Sequence, residues 1–407
     1  MRFCMITTFY PPYHFGGDAT YVRALSEALT SRGHEVTVVH CEDSFRISTD
    51  RPDINDVNND NNNLNIIRLK SNFGILSPLI TQQTGYPGLK AAQLENIFKN
   101  RFDIVNFHNI SLIGGPGILK MSRALITLYT LHEHWLLCPT HIFWKYKKKA
   151  CDSRRCFMCS IRSGIPPQLW RYTSLIKSSI RTIDSFIAPS EFTAAQHREA
   201  GITNKIKVLP LFSCLDPVDY KDKSEGKLSF IAVGRVTASK GIAELLNAFS
   251  LWPDYDLHIV GDGDQLGSLK KKYKFNSNIF FHGAVPQKLL VEMYQRATAL
   301  ILPSLAPETF GLTIVEAFSC GVPAIVRIAG GNREIIDRSG AGFLYSNHEQ
   351  LMDSILKFQN DNTLRTRLGL IARKAYEREY TESNHLDNYL KLIACIASEK
   401  KLTLPCL

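Results

Sequence analysis

The stretch RFCMITTFYPPYHFGGDATYVRALSEALTSRGHEVTVVH, residues 2–40, decides the fold. Arg2 to Tyr10 is a short apolar run, and Pro11-Pro12 ends it because proline has no N–H for a ladder. Gly16-Gly17 follows, and Val22, Leu25 and Leu29 then recur at helical spacing until Gly33 stops the helix. Glu35 to His40 is a second buried-strand pattern. Strand, glycine loop, helix and strand make a βαβ unit, and that unit commits its strands to a parallel sheet.

The alternation continues outward. Further strand runs are Ile104–Phe107, Leu125–Tyr129 and Phe186–Ala188, while Arg51 to Asn65 holds seven asparagines and reads as a solvated loop. A second series starts after Val208-Leu209-Pro210. Leu228–Val233 reads as a strand, Gly241–Phe249 as a helix, and Leu257–Val260, Ile279–Phe281, Ala299–Leu302 and Pro323–Val326 as strands. The fold class is α/β, with two Rossmann-like domains joined near residues 207–222. The expected boundaries are 1–208, then 209–380, then a C-terminal helix at 381–407 that packs back on the first domain. Such an enzyme places its site in a cleft at the carboxyl ends of both sheets.

Composition narrows the function classes. A length of 407 residues fits two or three domains at about 150 residues each. With 44% hydrophobic and 21% charged residues the chain is an ordinary globular one. No run reaches the ~20 uncharged apolar residues of a membrane span, and Met1 leads directly into a strand, so a cytoplasmic protein is expected. Ten cysteines in a reducing compartment point to metal more often than to disulfides. A net charge of +10 suits an anionic partner: a nucleotide, a phospholipid surface or a nucleic acid.

The densest chemistry is in PETFGLTIVEAFSCGVP, residues 307–323. A helix is expected from Leu312, stopped by Gly321 with Pro323 beyond. Glu308 then lies in the loop before the helix and Glu316 inside it. Gly311 lets a ligand approach the backbone, and the free N–H groups of a helix start suit phosphate. Two carboxylates flanking that point suit sugar hydroxyls on either side of a diphosphate. The bland alternative is a dipole-favourable Glu308 and a solvated Glu316. GRVTASKG, residues 234–241, sets Arg235 and Lys240 at a strand–helix junction, where they can neutralise a diphosphate without a metal or simply form a solvated basic turn.

Taken together these segments resemble the nucleotide-sugar half of the family-4 retaining glycosyltransferases of the GT-B architecture, polysaccharide-biosynthesis type. The resemblance extends to Gly261-Asp262-Gly263, Phe281 to Pro286, Gly330 to Glu334, the Gly16-Gly17 loop and Leu131-His132-Glu133, covering about residues 1–380. It implies that Arg235 and Lys240 hold the diphosphate and Glu316 the ribose. Glu308 would contact the donor sugar as a catalytic residue, with Phe310, Gly311, Leu312 and Val285 completing the donor site. His132 would be the catalytic residue across the cleft, Gly16 and Gly17 would lie near the phosphates, and His108 and Glu133 would face the acceptor. The family's usual Asn-Gly after the linker strand is replaced by Leu211-Phe212-Ser213-Cys214, and Glu133 stands where Asp is more common. Asp262-Gly263-Asp264 spells a metal–nucleotide signature but sits where the family has a turn, so no catalytic metal is expected.

One insert, 138–163, is particular to this chain. Cys138, Cys151, Cys156 and Cys159 are spaced C-x12-C-x4-C-x2-C, which suits a structural zinc, with free thiols, a redox disulfide or an iron–sulfur cluster as alternatives. Lys145, Lys147, Lys148, Lys149, Arg154, Arg155 and Arg162 interleave there with Phe143, Trp144 and Tyr146. That composition suits an anionic membrane surface, which would make the enzyme peripheral at the inner face of the membrane, or a solvated basic loop with Trp144 packed underneath. Single-stranded nucleic acid is not favoured as a partner. His14, His134 and His141 fit packing or surface roles equally well.

The function expected is transfer of a hexose-type sugar from a nucleoside diphosphate to a glycan or lipid-linked acceptor hydroxyl, with retention. The rivals are a sugar-nucleotide epimerase or phosphorylase on the same scaffold, and a non-catalytic zinc or nucleic-acid module.

Overall fold

The structure is a computed structural model that describes residues 1–47, 63–215 and 227–405. Most of the Arg51–Asn65 loop and part of the 207–222 joint therefore lie outside the described residues. The chain divides into two compact units. One comprises Met1–His141, Arg155–Leu209 and Glu382–Leu407; the other comprises Ile142–Arg154 and Pro210–Thr381.

In the first unit the apolar runs become β1 (Arg2–Ile6), β2 (Glu35–Cys41), β3 (Leu64–Leu69), β4 (Ile104–Phe107) and β5 (Ile126–Thr130). After a two-residue hairpin, β6 (Trp144–Lys145) and β7 (Lys149–Ala150), come β8 (Ser185–Ala188) and β9 (Ile206–Val208). Seven of these form one sheet in the order β3-β2-β1-β4-β5-β8-β9. Its neighbours run parallel, with Phe3 opposite both Val36 and Ile104. Leu64 and Asn65, expected in a loop, instead open β3 against Val36 and Thr37. Among the described residues the hairpin pairs with itself alone, and residues 142–154 group with the second unit.

The Gly17–Ser31 helix buries Val22, Leu25 and Leu29 completely. The Glu382–Glu399 helix belongs to the same unit. From it Tyr389 reaches the middle of β4, where its hydroxyl accepts from Asn106 Nδ2 at 3.0 Å. Thr130 Oγ1 donates to Asn106 Oδ1 at 3.1 Å, so this side-chain amide inside an apolar core is satisfied on both sides.

The second unit repeats the logic with β10 (Ser229–Val233), β11 (Asp256–Val260), β12 (Ile279–Gly283), β13 (Ala299–Leu302), β14 (Ala324–Arg327) and β15 (Gly342–Tyr345). All run parallel to their neighbours in the order β12-β11-β10-β13-β14-β15. Order reverses between β10 and β13. The crevice at the carboxyl ends of those two strands is where an open α/β sheet binds ligands. The loops that leave them carry Arg235, Lys240 and Glu308. In the first sheet the reversal falls between β1 and β4, whose loops carry Gly16 and His108.

Candidate active site

The second unit brings its expected residues together by joining two loops. The amides of Leu305 and Ala306 both donate to the Ser239 carbonyl, at 2.9 and 3.0 Å. Gly241 follows at φ 70°, and a Cβ there would lie 2.1 Å from the Pro303 carbonyl oxygen, so only glycine permits this approach. Lys240 is thereby set against Glu308, with Nζ 2.5 Å from Oε1. Ser304 donates to the same oxygen. Glu308 is fixed by its backbone as well: its amide donates to Ala329, and Gly331 donates to its carbonyl. Gly330 pairs with it as an isolated bridge, where a Cβ would meet the Glu308 backbone at 2.4 Å.

Beyond this pair the chain turns into the Leu312–Ser319 helix, capped at Gly311. A helix start directs unpaired amides outward. Phe310 is buried, its ring 6.2 Å from that of Tyr380, and this fixes the loop from below. Glu316 lies on the helix as expected, but it is not simply solvated. Tyr294, buried in the Gln287–Arg296 helix, donates to Glu316 Oε2 at 3.2 Å. Burial pushes the Glu316 carboxyl up to about 7, and the Tyr294 bond works in the opposite direction. Arg235 is exposed after β10, and Val285 is half-buried in the loop after β12.

Gly261-Asp262-Gly263 forms the turn after β11. The Asp262 carboxylate accepts from the Gly263 amide at 2.7 Å, and the Asp262 carbonyl accepts from the Val236 amide at 2.9 Å. A Cβ on Gly261 would lie 1.9 Å from the Gly234 carbonyl oxygen. This aspartate thus serves its own turn.

In the first unit Gly16 caps the Gly17–Ser31 helix at φ 80°, a left-handed angle that favours glycine. His132, partly exposed after β5, has Nε2 2.9 Å from His108 Nδ1. His108 was expected to face an acceptor. It is instead 1% exposed, because the end of β4 turns it under His132. Burial holds the His132 imidazole down at about 3 and that of His108 well below its ordinary value, so both rings are neutral. Tyr21 lies edge-on to His132 at 5.2 Å, and its hydroxyl is 2.7 Å from His385 Nε2. Glu133 holds His141, Oε2 to Nδ1, at 2.7 Å. His134 is fully buried and stacked on His197.

The insert departs from expectation twice. Among the described residues no group of three or more His, Cys, Asp or Glu side chains is placed to hold a metal ion. Cys138, Cys151, Cys156 and Cys159 carry unbridged thiols with local partners, such as Thr140 Oγ1 at 3.2 Å from Cys138 Sγ and the Ser153 carbonyl at 3.6 Å from Cys151 Sγ. The tetrathiolate zinc suggested by their spacing does not fit this arrangement. Phe143 and Trp144 are buried rather than offered to a surface, and Lys145 is paired with Asp152 at 2.6 Å.

Residues missed from sequence are Tyr294, Ser304, Tyr21 and His385. The Tyr294–Glu316 contact spans 22 positions and Tyr21–His385 spans 364, so no local spacing signals either.

Comparison with known proteins gives the family and the fold. Residues 15–212 match the family described as Glycosyltransferase Family 4, and residues 219–375 match Glycosyl transferases group 1. The O-antigen biosynthesis glycosyltransferase WbnH of Escherichia coli is 37% identical over 119 residues, 29% of this chain and 33% of that protein. The sucrose-phosphate synthase of Thermosynechococcus elongatus superposes with a TM-score of 0.75 at 19% identity, covering 98% of this chain and 99% of that one. Anabaena HepE, solved in complex with UDP-glucose, gives 0.63 at 16% identity over 97% and 100%. Both structural likenesses speak to the fold. With the paired Rossmann-like sheets and the two family matches in hand, the chain belongs to the family-4 glycosyltransferases of the GT-B fold.

Proposed function

We propose that this glycosyltransferase moves a hexose from a nucleoside diphosphate to a hydroxyl of a glycan or lipid-linked acceptor, with retention of configuration. The observation that carries the reading is the Lys240–Glu308 pair at 2.5 Å beside the start of the Leu312–Ser319 helix. Arg235, Lys240 and the helix amides supply positive potential to a departing diphosphate, the role a metal plays elsewhere. Both protein bonds to the Glu308 carboxylate fall on Oε1, which leaves Oε2 to accept from a sugar hydroxyl. Glu316 accepts from the ribose. The neutral His132 donates to or accepts from a sugar hydroxyl without bringing a charge. No carboxylate is assigned as a nucleophile, so the acceptor attacks from the face the diphosphate leaves. A uridine diphosphate donor is supported by the ligand named for HepE, and a surface-glycan acceptor by the name of WbnH.

The test is transfer from a panel of UDP-, GDP- and ADP-hexoses to glycan and lipid-linked acceptors, with the anomeric configuration of the product read by NMR. One nucleotide should dominate, and the product should keep the donor configuration. Inversion would refute the face assignment. Wild-type rates in both Lys240→Ala and Glu308→Gln would refute the donor site.

A further inference from the structure

Phe143 and Trp144 are buried and Tyr146 is half-buried, yet the first unit presents apolar side chains to solvent. The Cys156–Arg162 helix exposes Phe157, Met158 and Ile161 by 44%, 45% and 49%. The turn at Leu169–Tyr172 exposes Leu169 and Tyr172, each by 63%, and the Leu76–Thr84 helix exposes Leu76 by 56%. These elements form one fixed platform. Trp170 Nε1 donates to the Gln82 carbonyl at 2.9 Å, and Gln82 Nε2 donates to the Pro166 carbonyl at 3.0 Å. Beneath them Arg171 lies between the rings of Trp135 and Trp170, at 5.1 and 4.7 Å from their centroids.

Charge is distributed unevenly over the same segments. Residues 64–94 and 153–183 contain no Asp or Glu, although 38 acids in 407 residues would place about three in each run of 31. They contain nine Lys and Arg: three in the first run and six in the second. In the first run Lys90 is buried and Arg68 and Lys70 face Glu42. The second run carries the exposed charge, at Arg155, Arg162, Lys177 and Arg181. Contiguous exposed apolar side chains on a soluble fold mark a contact surface.

We infer that this face docks on an anionic phospholipid bilayer. The apolar side chains enter the headgroup boundary, and the arginines and lysines meet lipid phosphates. A second copy of the chain fits less well, because a two-fold contact would set this acid-free face against itself, like charge on like charge. The inference concerns the first unit and does not rest on the donor reading.

The test is co-sedimentation of the full chain with vesicles of phosphatidylglycerol and phosphatidylcholine, compared with pure phosphatidylcholine. Binding is expected only to the anionic vesicles, and 0.5 M salt should weaken it without abolishing it. Arg155→Gln with Arg162→Gln should lower partitioning about thirtyfold. Phe157→Ser with Ile161→Ser should lower it at least tenfold. Leu251→Ser, at a side chain 77% exposed in the second unit, should leave it unchanged. All of these positions are on the surface, so folding is checked by matching thermal transitions, and nucleotide binding should persist in every variant. Equal binding to neutral vesicles, wild-type binding by both double variants, or loss of a dimer in their place would overturn the inference.

Discussion

Replacing Glu316 by Gln should stabilise the second unit above pH 7 while weakening its hold on nucleotide. Burial raises the Glu316 carboxyl from 4.5 to about 7. Between those values the folded chain keeps a proton that the unfolded chain has lost. Stability therefore falls as pH rises through that window and stays lower above it. At about 1.36 kcal/mol per unit, two and a half units set a ceiling near 3 kcal/mol. The side chain retains some access to water, which reduces the effect to about 1–2 kcal/mol. For a domain of this size that corresponds to a Tm shift of about 3–8 °C. Glutamine keeps the shape, and its carbonyl still accepts from Tyr294. The two proteins should therefore melt together near pH 4.5 and diverge by pH 8, with the variant higher. Over the same range wild-type affinity for a nucleoside diphosphate should rise with pH, since only the ionised carboxyl can accept from both ribose hydroxyls. The variant should bind about ten- to a hundredfold more weakly at pH 8, as expected for loss of a charged acceptor. Thermal melts from pH 4.5 to 8.5, with calorimetry of UDP, GDP and ADP, measure both effects. An identical pH slope in the two proteins, or uniform destabilisation of the variant, would refute the reasoning.

Lys240→Ala and Glu308→Gln should each cut transfer at least a hundredfold, and the double variant should lose less than the product, because the two share one ion pair. EDTA should leave the rate unchanged; a restoring effect of Mn²⁺ would return Asp262 to consideration. Gly241→Ala should cost about 1–3 kcal/mol by melting and weaken nucleotide binding as well, since its Cβ would displace Pro303 and with it Lys240. His132, held neutral with a value of about 3, should contribute no limb to a kcat/KM profile between pH 5 and 8. Metal analysis with thiol titration of the purified chain should find well under one zinc per chain and, besides Cys214 and the exposed Cys395, reactive thiols at Cys151 and Cys156, the two partly exposed cysteines of the insert.

The interior strands were legible because both faces are buried, so Ala299–Leu302 reads as an unbroken apolar run and Ile104–Phe107 as one interrupted by a single polar residue, Asn106. The edges were less so: β12 was read as Ile279–Phe281, but β3 carries exposed Asn65 and Arg68, and β15 is only Gly342–Tyr345. In the site, Glu308, Gly311 and Glu316 are close in sequence and were visible as a pattern. Lys240 is 68 positions from Glu308, and only the resemblance brought it to the same phosphate. His108 shows the opposite failure. A polar residue ending a strand suggests a surface, but the loop after β5 covers it with His132.

The Glu382–Glu399 helix has a consequence for how the chain is made. His385, Tyr389 and Ile393 are buried in the first unit, yet they are synthesised after the whole of the second. On a ribosome the second sheet, contiguous from Pro210 to Thr381, can close as soon as it emerges. Until the last helix arrives, Asn106 lacks its Tyr389 partner and Tyr21 lacks His385. The nascent first unit must wait with a polar seam open in its interior, the condition in which chaperones bind and proteases cut. The order of synthesis and the order of folding therefore part company here: the unit that starts first finishes last.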